Sequence, residues 1–350
     1  MTDDAEERAL RRMNERLDEY EHICRGCSLF MTKECCGCPS IQKTPYLHLE
    51  YCRHGHWDKR STTTKGSIMN KLTIGMATYD DYDGVYFSIQ ALRMSQYRHM
   101  IHEIIVIDNN PDSKQGKATA ELVRSKIGCR AKYIPYTEKK STSIRSKIFE
   151  AATGDYVLVM DCHVLLDPLG APLMLKFLNQ PATDDLIHGV LLSDSLDNLA
   201  SEMKEGWNDK FYGQWYCRPN IKVSDDPFEI RMHGLGLFMA KRTSWLGFNP
   251  LFRGWGGEEG YIHEKYRTHG RKVICLPFLR WLHRFARPNG IPYTFDYRDR
   301  VFNYTVGWAE VGMNLTEMRK HFEQHYPVQV VRDTMNEALV ASGKQPLTFE

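Results

Sequence analysis

The chain has 350 residues, 42% of them hydrophobic and 26% charged, with a formal net charge of +2 at pH 7. Those fractions are those of a soluble globular protein, and the near-neutral charge excludes a strong bulk pull toward nucleic acid or membranes. No apolar run reaches bilayer length and the opening MTDDAEERALRR lacks a signal core, so a cytoplasmic protein with no membrane partner is expected.

Residues 2–22 read as a charged amphipathic helix with Leu10, Met13, Leu17 and Tyr20 on one stripe. Cys24, Cys27, Cys35, Cys36, Cys38 and Cys52 then crowd one window, while Cys129, Cys162, Cys217 and Cys275 are scattered. A reducing compartment with one clustered structural zinc site explains this better than a disulfide framework. The preferred ligands are Cys24, Cys27, one or two of Cys36 and Cys38, and Cys52, with Cys35, His54 and His56 in reserve. In its CGC step, Lys43-Thr44 pair and Cys52-to-Trp57 ending, the window resembles small cysteine modules of bacterial and phage proteins. It reads as a structural clip whose folding energy comes from the metal; the alternative is a docking knuckle for nucleic acid or a partner. Residues 58–70 read as a linker. The expected divisions are 1–65 for helix and zinc module, 66–312 for the main domain and 313–350 for terminal helices.

An α/β rhythm follows. Strands are expected at Leu72–Ala77, Glu103–Ile107 and Ala131–Pro135, with helices near Val85–Ser95, Lys117–Lys126 and Thr142–Ala152. Val157 to Met160 is a continuous apolar run, as in a strand buried on both faces of a parallel sheet. It stops at Asp161-Cys162-His163, on the rim where open α/β sheets bind ligands. An Asp and a His two apart there suit a divalent metal; alone, they read equally as a turn cap beside an incidental His. Thr78 and Asp108 end strands on the same rim, where Asp108 can bind a uracil or ribose or merely cap its turn. No GxGxxG or GxxxxGK pattern accompanies them, against a dinucleotide enzyme or a P-loop ATPase.

Strands ending in Thr78-Tyr79, Asp108-Asn109 and Asp161-x-His163 resemble the nucleotide-sugar half of a GT-A glycosyltransferase. The Asp-x-His form, and the run SIRSKIFEAATGDYVLVMDCH before it, resemble the polypeptide N-acetylgalactosaminyltransferase family. The segment from His233 to Arg267, with GWGGEE inside it, resembles the Trp-Gly-Gly-Glu segment of that family and of β-galactosyltransferases. Gly254, Gly256 and Gly257 let backbone approach a ligand, and Trp255 offers a face to a sugar ring. Glu258 and Glu259 are expected in the first turn of a helix, one holding hydroxyls and the other acting as base. A strand at Lys272–Cys275 precedes His283.

The resemblance covers roughly residues 70–312 and implies an α/β GT-A (nucleotide-diphospho-sugar transferase) fold, mainly parallel with helices on both faces. It makes His283 the third ligand, with Asp161 and His163, of manganese or magnesium. It puts Thr78, Tyr79, Asp108, Arg145, Asp161, Trp255, Gly256, Gly257, Arg287 and Tyr293 at the donor, and likens residues 291–311 to a loop that closes over it. The family's Arg three places after the third ligand is here Ala286, so Arg284 or Arg287 is expected at the diphosphate. The aromatic stretch 205–220 is expected to wall the acceptor, and residues 315–341 to form helices broken at Pro327. The implied activity is transfer from a UDP-sugar to a protein or glycan hydroxyl. The alternatives are the same chemistry on a hydroxylated DNA base, or binding without catalysis on the same scaffold.

Overall fold

The computed structural model describes residues 69–349 apart from 128–129, 287–289, 291 and 294. The expected amino-terminal helix, the cysteine module with Cys24, Cys27, Cys36, Cys38 and Cys52, and Arg287 lie outside the described residues. Met69–Glu350 forms one compact unit.

Among the described residues, ten strands make one mixed, mostly parallel sheet. Parallel neighbours are β1 (Leu72–Thr78), β2 (Ile101–Asp108), β3 (Ala131–Pro135) and β4 (Tyr156–Asp161), in the order β4-β1-β2-β3. On the other side of β4 come β11 (Leu237–Lys241), β6 (Leu186–Leu192), β12 (Val273–His283) and β10 (Phe228–Glu229). Short β5 (Val164–Leu166) and β7 (Leu199–Ala200) pair with β12 and β6. β4 sits between a parallel β1 and an antiparallel β11.

Period-two alternation divides the core. Tyr156, Leu158 and Met160 face Val85 and Ile89 of α1 (Tyr82–Met94) and Met174 of α4 (Ala171–Leu178). Val157 and Val159 face Ile148 of α3 (Arg145–Ala151), Ile262 of α5 (Tyr261–Thr268) and Phe302 of α6 (Tyr297–Val311). A sheet covered on both faces needs apolar residues at consecutive positions, which is why this strand reads as an unbroken run. Between β2 and β3, α2 (Lys114–Glu121) ends in a wide turn, Leu122–Lys126.

Three segments differ from expectation. The strand expected to stop at Cys275 runs on to His283, because its register slips between Leu276 and Arg280. Pro277 cannot donate to the ladder, so a bulge forms there, and Trp281 Nε1 then donates to Gly189 O at 3.1 Å. Residues 202–216, which show no period, form a hairpin of β8 (Glu202–Asn208) and β9 (Phe211–Tyr216). Its alternation is broken by a register slip between Lys204 and Trp207. Glu258 and Glu259 are not in a helix; α5 starts at Tyr261, behind Gly260 at φ 75. That backbone conformation suits glycine and ends helical continuity on its N-terminal side.

The hairpin is anchored from the carboxyl terminus. Trp207 and Tyr212 pack with Tyr304 and Trp308 of α6, Phe322 of α7 (Leu315–Glu323) and Met335 of α8 (Val328–Ala341). Pro327 stands at the break between the last two helices. Three fully buried imidazoles cluster in the core: His188 lies 5.2 Å from His233 and 5.0 Å from His263 between ring centres. Burial pushes the pKa of each downward, that of His233 to about 4. No helix of the described residues is long and apolar enough to cross a membrane.

Candidate active site

The carboxyl ends of β1 and β4 open into a cavity of about 430 Å³. Thr78, Tyr79, Asn109, Thr142 and Arg145 line it with Asp161 and His163, and so do Trp255, Gly256, Glu258, Glu259, Tyr293 and Arg300.

Asp161, His163 and His283 converge, with ligand atoms within 4.8 Å of one another. His283 Nε2 stands 3.2 Å from Asp161 Oδ2. Two cis donors around an octahedral ion with bonds of about 2.1 Å are about 3 Å apart, so the set fits a divalent metal in spacing and in donor type. Burial alone would raise the Asp161 carboxyl, but the His283 hydrogen bond and the Arg145 charge hold it at about 2.

His163 Nδ1 faces Asp81 Oδ2 at 2.8 Å. A carboxylate only accepts, so the proton sits on Nδ1 and the ring's lone pair is carried by Nε2. Asp81 in turn receives Arg284 Nη2 on both oxygens, at 2.7 and 2.9 Å. Burial opposes its ionisation, yet His163 and Arg284 drive its pKa well below the usual carboxylate range. Asp81 also caps α1 by accepting from Gly84 N at 3.0 Å. The sequence shows only a cap; a second duty toward a residue 82 positions away leaves no local trace. Asn is as good a cap as Asp, so Asp81→Asn is expected to keep the fold. Titration with Mn²⁺ should then show affinity reduced about 10- to 100-fold, the usual effect of losing a carboxylate behind a metal-binding His.

Several expected donor contacts have other duties. Asp108 is buried, accepts from Asn110 N and Tyr133 Oη at 2.8 Å each, and its neighbour Asn109 forms the wall instead. Arg284, expected at the diphosphate, is engaged by Asp81. Gly257 packs on α6, where a Cβ would lie 2.8 Å from Asn303 Cβ, while Gly256 lines the cavity. Trp255 does line it, but its face is stacked by Tyr293 at 3.6 Å. Thr78 and Tyr79 are on the wall, and Thr78 Oγ1 is buried without a partner among the described residues.

Arg145 and Glu258 hold each other. Arg145 Nη2 donates to Glu258 Oε1 at 2.8 Å, Nη1 to Leu235 O at 2.7 Å and Nε to Thr142 O at 3.1 Å. The guanidinium is thus a strut under the cavity, and both residues are buried. Arg145→Met leaves the Glu258 charge uncompensated; urea denaturation is expected to show a loss of about 3–5 kcal/mol, partly recovered when Glu258→Leu is added. Glu258 Oε2 has no partner among the described residues. Glu259, on the wall, differs: burial and the Glu258 charge push its pKa up to about 7, against the pull of Arg145 and Arg300. A carboxyl with that pKa is suited to move a proton near neutral pH.

Residues 73–233 match the model of glycosyl transferase family 2. Among solved structures, the chain is similar to GalNAc-T7, crystallised with UDP, GalNAc and Mn²⁺, with a TM-score of 0.53 and 14% identity over 76% of this chain and 56% of that one. It is also similar to the mannosyltransferase PcManGT from Pyrobaculum calidifontis, solved with GDP-Man and Mn²⁺, with a TM-score of 0.46 and 14% identity over 79% and 76% of the two chains. The chain therefore spans about half the length of GalNAc-T7, and what the likeness shows is a shared fold. No curated protein matches the sequence significantly. The mixed, mostly parallel α/β architecture is consistent with GT-A, and the family match supports a glycosyltransferase.

Proposed function

We propose that this domain transfers a sugar from a UDP-sugar to a hydroxyl group of a protein or glycan. The observation that carries the reading is the meeting of Asp161, His163 and His283, the first two of which line one cavity together with Glu259. Those three residues would hold a divalent ion, manganese by preference for imidazole over magnesium, which would supply positive charge to offset that of a leaving diphosphate. Thr78, Tyr79 and Asn109 bound the nucleotide end. Glu258, fixed by Arg145, lines the sugar end, and Glu259 takes the acceptor's proton. Removal of that proton as the bond to the sugar forms corresponds to inversion at the anomeric carbon. The test mixes purified protein with UDP-glucose, UDP-galactose and their N-acetyl counterparts, with Mn²⁺ and then with EDTA, and reads released UDP. Metal-dependent release from at least one donor is expected; none from any donor, with or without candidate acceptors, overturns the reading.

A further inference from the structure

Arg300 sits in the first turns of α6 and is only 2% exposed, yet it lines the cavity. Its guanidinium lies between two phenyl rings, 3.9 Å from the centre of Phe211 and 4.0 Å from that of Phe295. Those rings come from different elements, the hairpin and the segment before α6, and both are substantially exposed at the mouth. Nη1 donates to Lys210 O at 3.2 Å, which fixes the plane. Nε is buried without a partner, against Gly256, where a Cβ would come within 3.0 Å of it.

Among the described residues no carboxylate forms an ion pair with Arg300, in contrast to the other guanidinium of the cavity, Arg145, which is paired with Glu258. A buried cation without a counter-ion is costly, and proteins ordinarily pair it. Aromatic faces partly offset that cost and keep the charge in place. Burial nonetheless presses the Arg300 pKa down, with the more distant Glu259 and Glu258 opposing. Glu258 is already held by Arg145, and Glu259 is only partly ionised near neutral pH. The result is a charged, flat, pre-oriented donor on the cavity wall, beside Glu259 in the lining, with Nη2 making none of the described hydrogen bonds. Such a fork recognises carboxylate or phosphate oxygens.

We propose that Arg300, with Phe211 and Phe295 as walls, forms a subsite for an acidic group, a carboxylate or phosphate, on the part of the ligand remote from the nucleotide. This rests on the glycosyltransferase reading and deepens it. The acid has two possible carriers, a uronic donor sugar or an acidic acceptor, and they are separable.

Calorimetric titrations in Mn²⁺ compare UDP-glucuronate with UDP-glucose, and then, on protein saturated with UDP, glucose 6-phosphate with glucose. The sugar pair is repeated without UDP. In at least one pair the acid is expected to bind about tenfold tighter than its neutral partner. That preference should vanish in Arg300→Gln and persist in part in Arg300→Lys. A preference in the first pair assigns the acid to the donor, and in the second to the acceptor. Equal binding within every pair by the unmodified protein overturns the proposal, and so does a preference that survives Arg300→Gln. Failure to bind UDP counts against the glycosyltransferase reading instead, while the sugar pair without UDP still decides the role of Arg300.

Discussion

Glu259→Gln is expected to remove transfer almost completely while making the folded protein more stable at alkaline pH. General-base assistance contributes about 10²- to 10⁴-fold to rate, and an amide of the same shape cannot take a proton, so turnover should fall by about that factor. The unmodified protein should gain activity as pH rises through about 7, where the Glu259 carboxyl ionises. The stability effect has the opposite sense. Folding raises this carboxyl from 4.5 to about 7. Between those values the native state binds a proton that the unfolded chain has lost, so stability declines as pH climbs. The decline amounts to at most about 3 kcal/mol at 1.36 kcal/mol per pKa unit. An amide at this position undergoes no such decline, so melting curves of the two proteins should coincide near pH 4.5 and separate by pH 8, with the variant higher. A variant that is inactive and also less stable at pH 8 would show that Glu259 is a packing residue.

His283→Ala should abolish metal binding and turnover together. The imidazole stands at the end of β12, opposite Asp161 and His163, and its Nδ1 has no partner among the described residues. Its one side-chain hydrogen bond among the described residues is to Asp161, within the same ligand set. Removing one of three protein ligands is expected to weaken Mn²⁺ by more than the roughly 10- to 100-fold produced by losing a supporting carboxylate. Free Mn²⁺ measured by electron paramagnetic resonance gives the affinity without reference to activity. Melting of the metal-free protein should move little. An unchanged Mn²⁺ affinity would place the ion elsewhere and remove the basis for the proposed chemistry.

The sequence revealed most where a local pattern has one physical cause. The run from Val157 to Met160 demanded burial on two faces, and β4 lies at the heart of the sheet with both faces covered. Asp161 and His163 follow on its rim because the strand ends there. His283 could be singled out only by resemblance, since nothing near it in the chain says that a bulge at Pro277 will carry the strand on to the same rim. The resemblance put Arg145 at the donor, and Glu258 was expected to hold hydroxyls or act as base; that the two pair with each other is a fact about residues 113 positions apart. The hairpin was missed because its slipped register erases the alternation by which strands are recognised. Arg300 gave no signal, sitting in YRDRVF among other charges, and only the arrival of Phe211 from the hairpin makes it unusual.

The three buried imidazoles make this domain intolerant of acid. An imidazole in the unfolded chain takes up its proton near pH 6.5, whereas His233 resists until about 4 and His188 and His263 are held well below their ordinary value. As pH falls from about 6.5 the unfolded chain binds more protons than the native one, and stability drains away with each step. Trp215 and Trp281, whose rings lie 5.3 and 5.9 Å from His233, should report the event as a change in fluorescence before the sheet is lost. A preparation kept in mildly acidic buffer would therefore sit closer to unfolding than one kept at neutral pH.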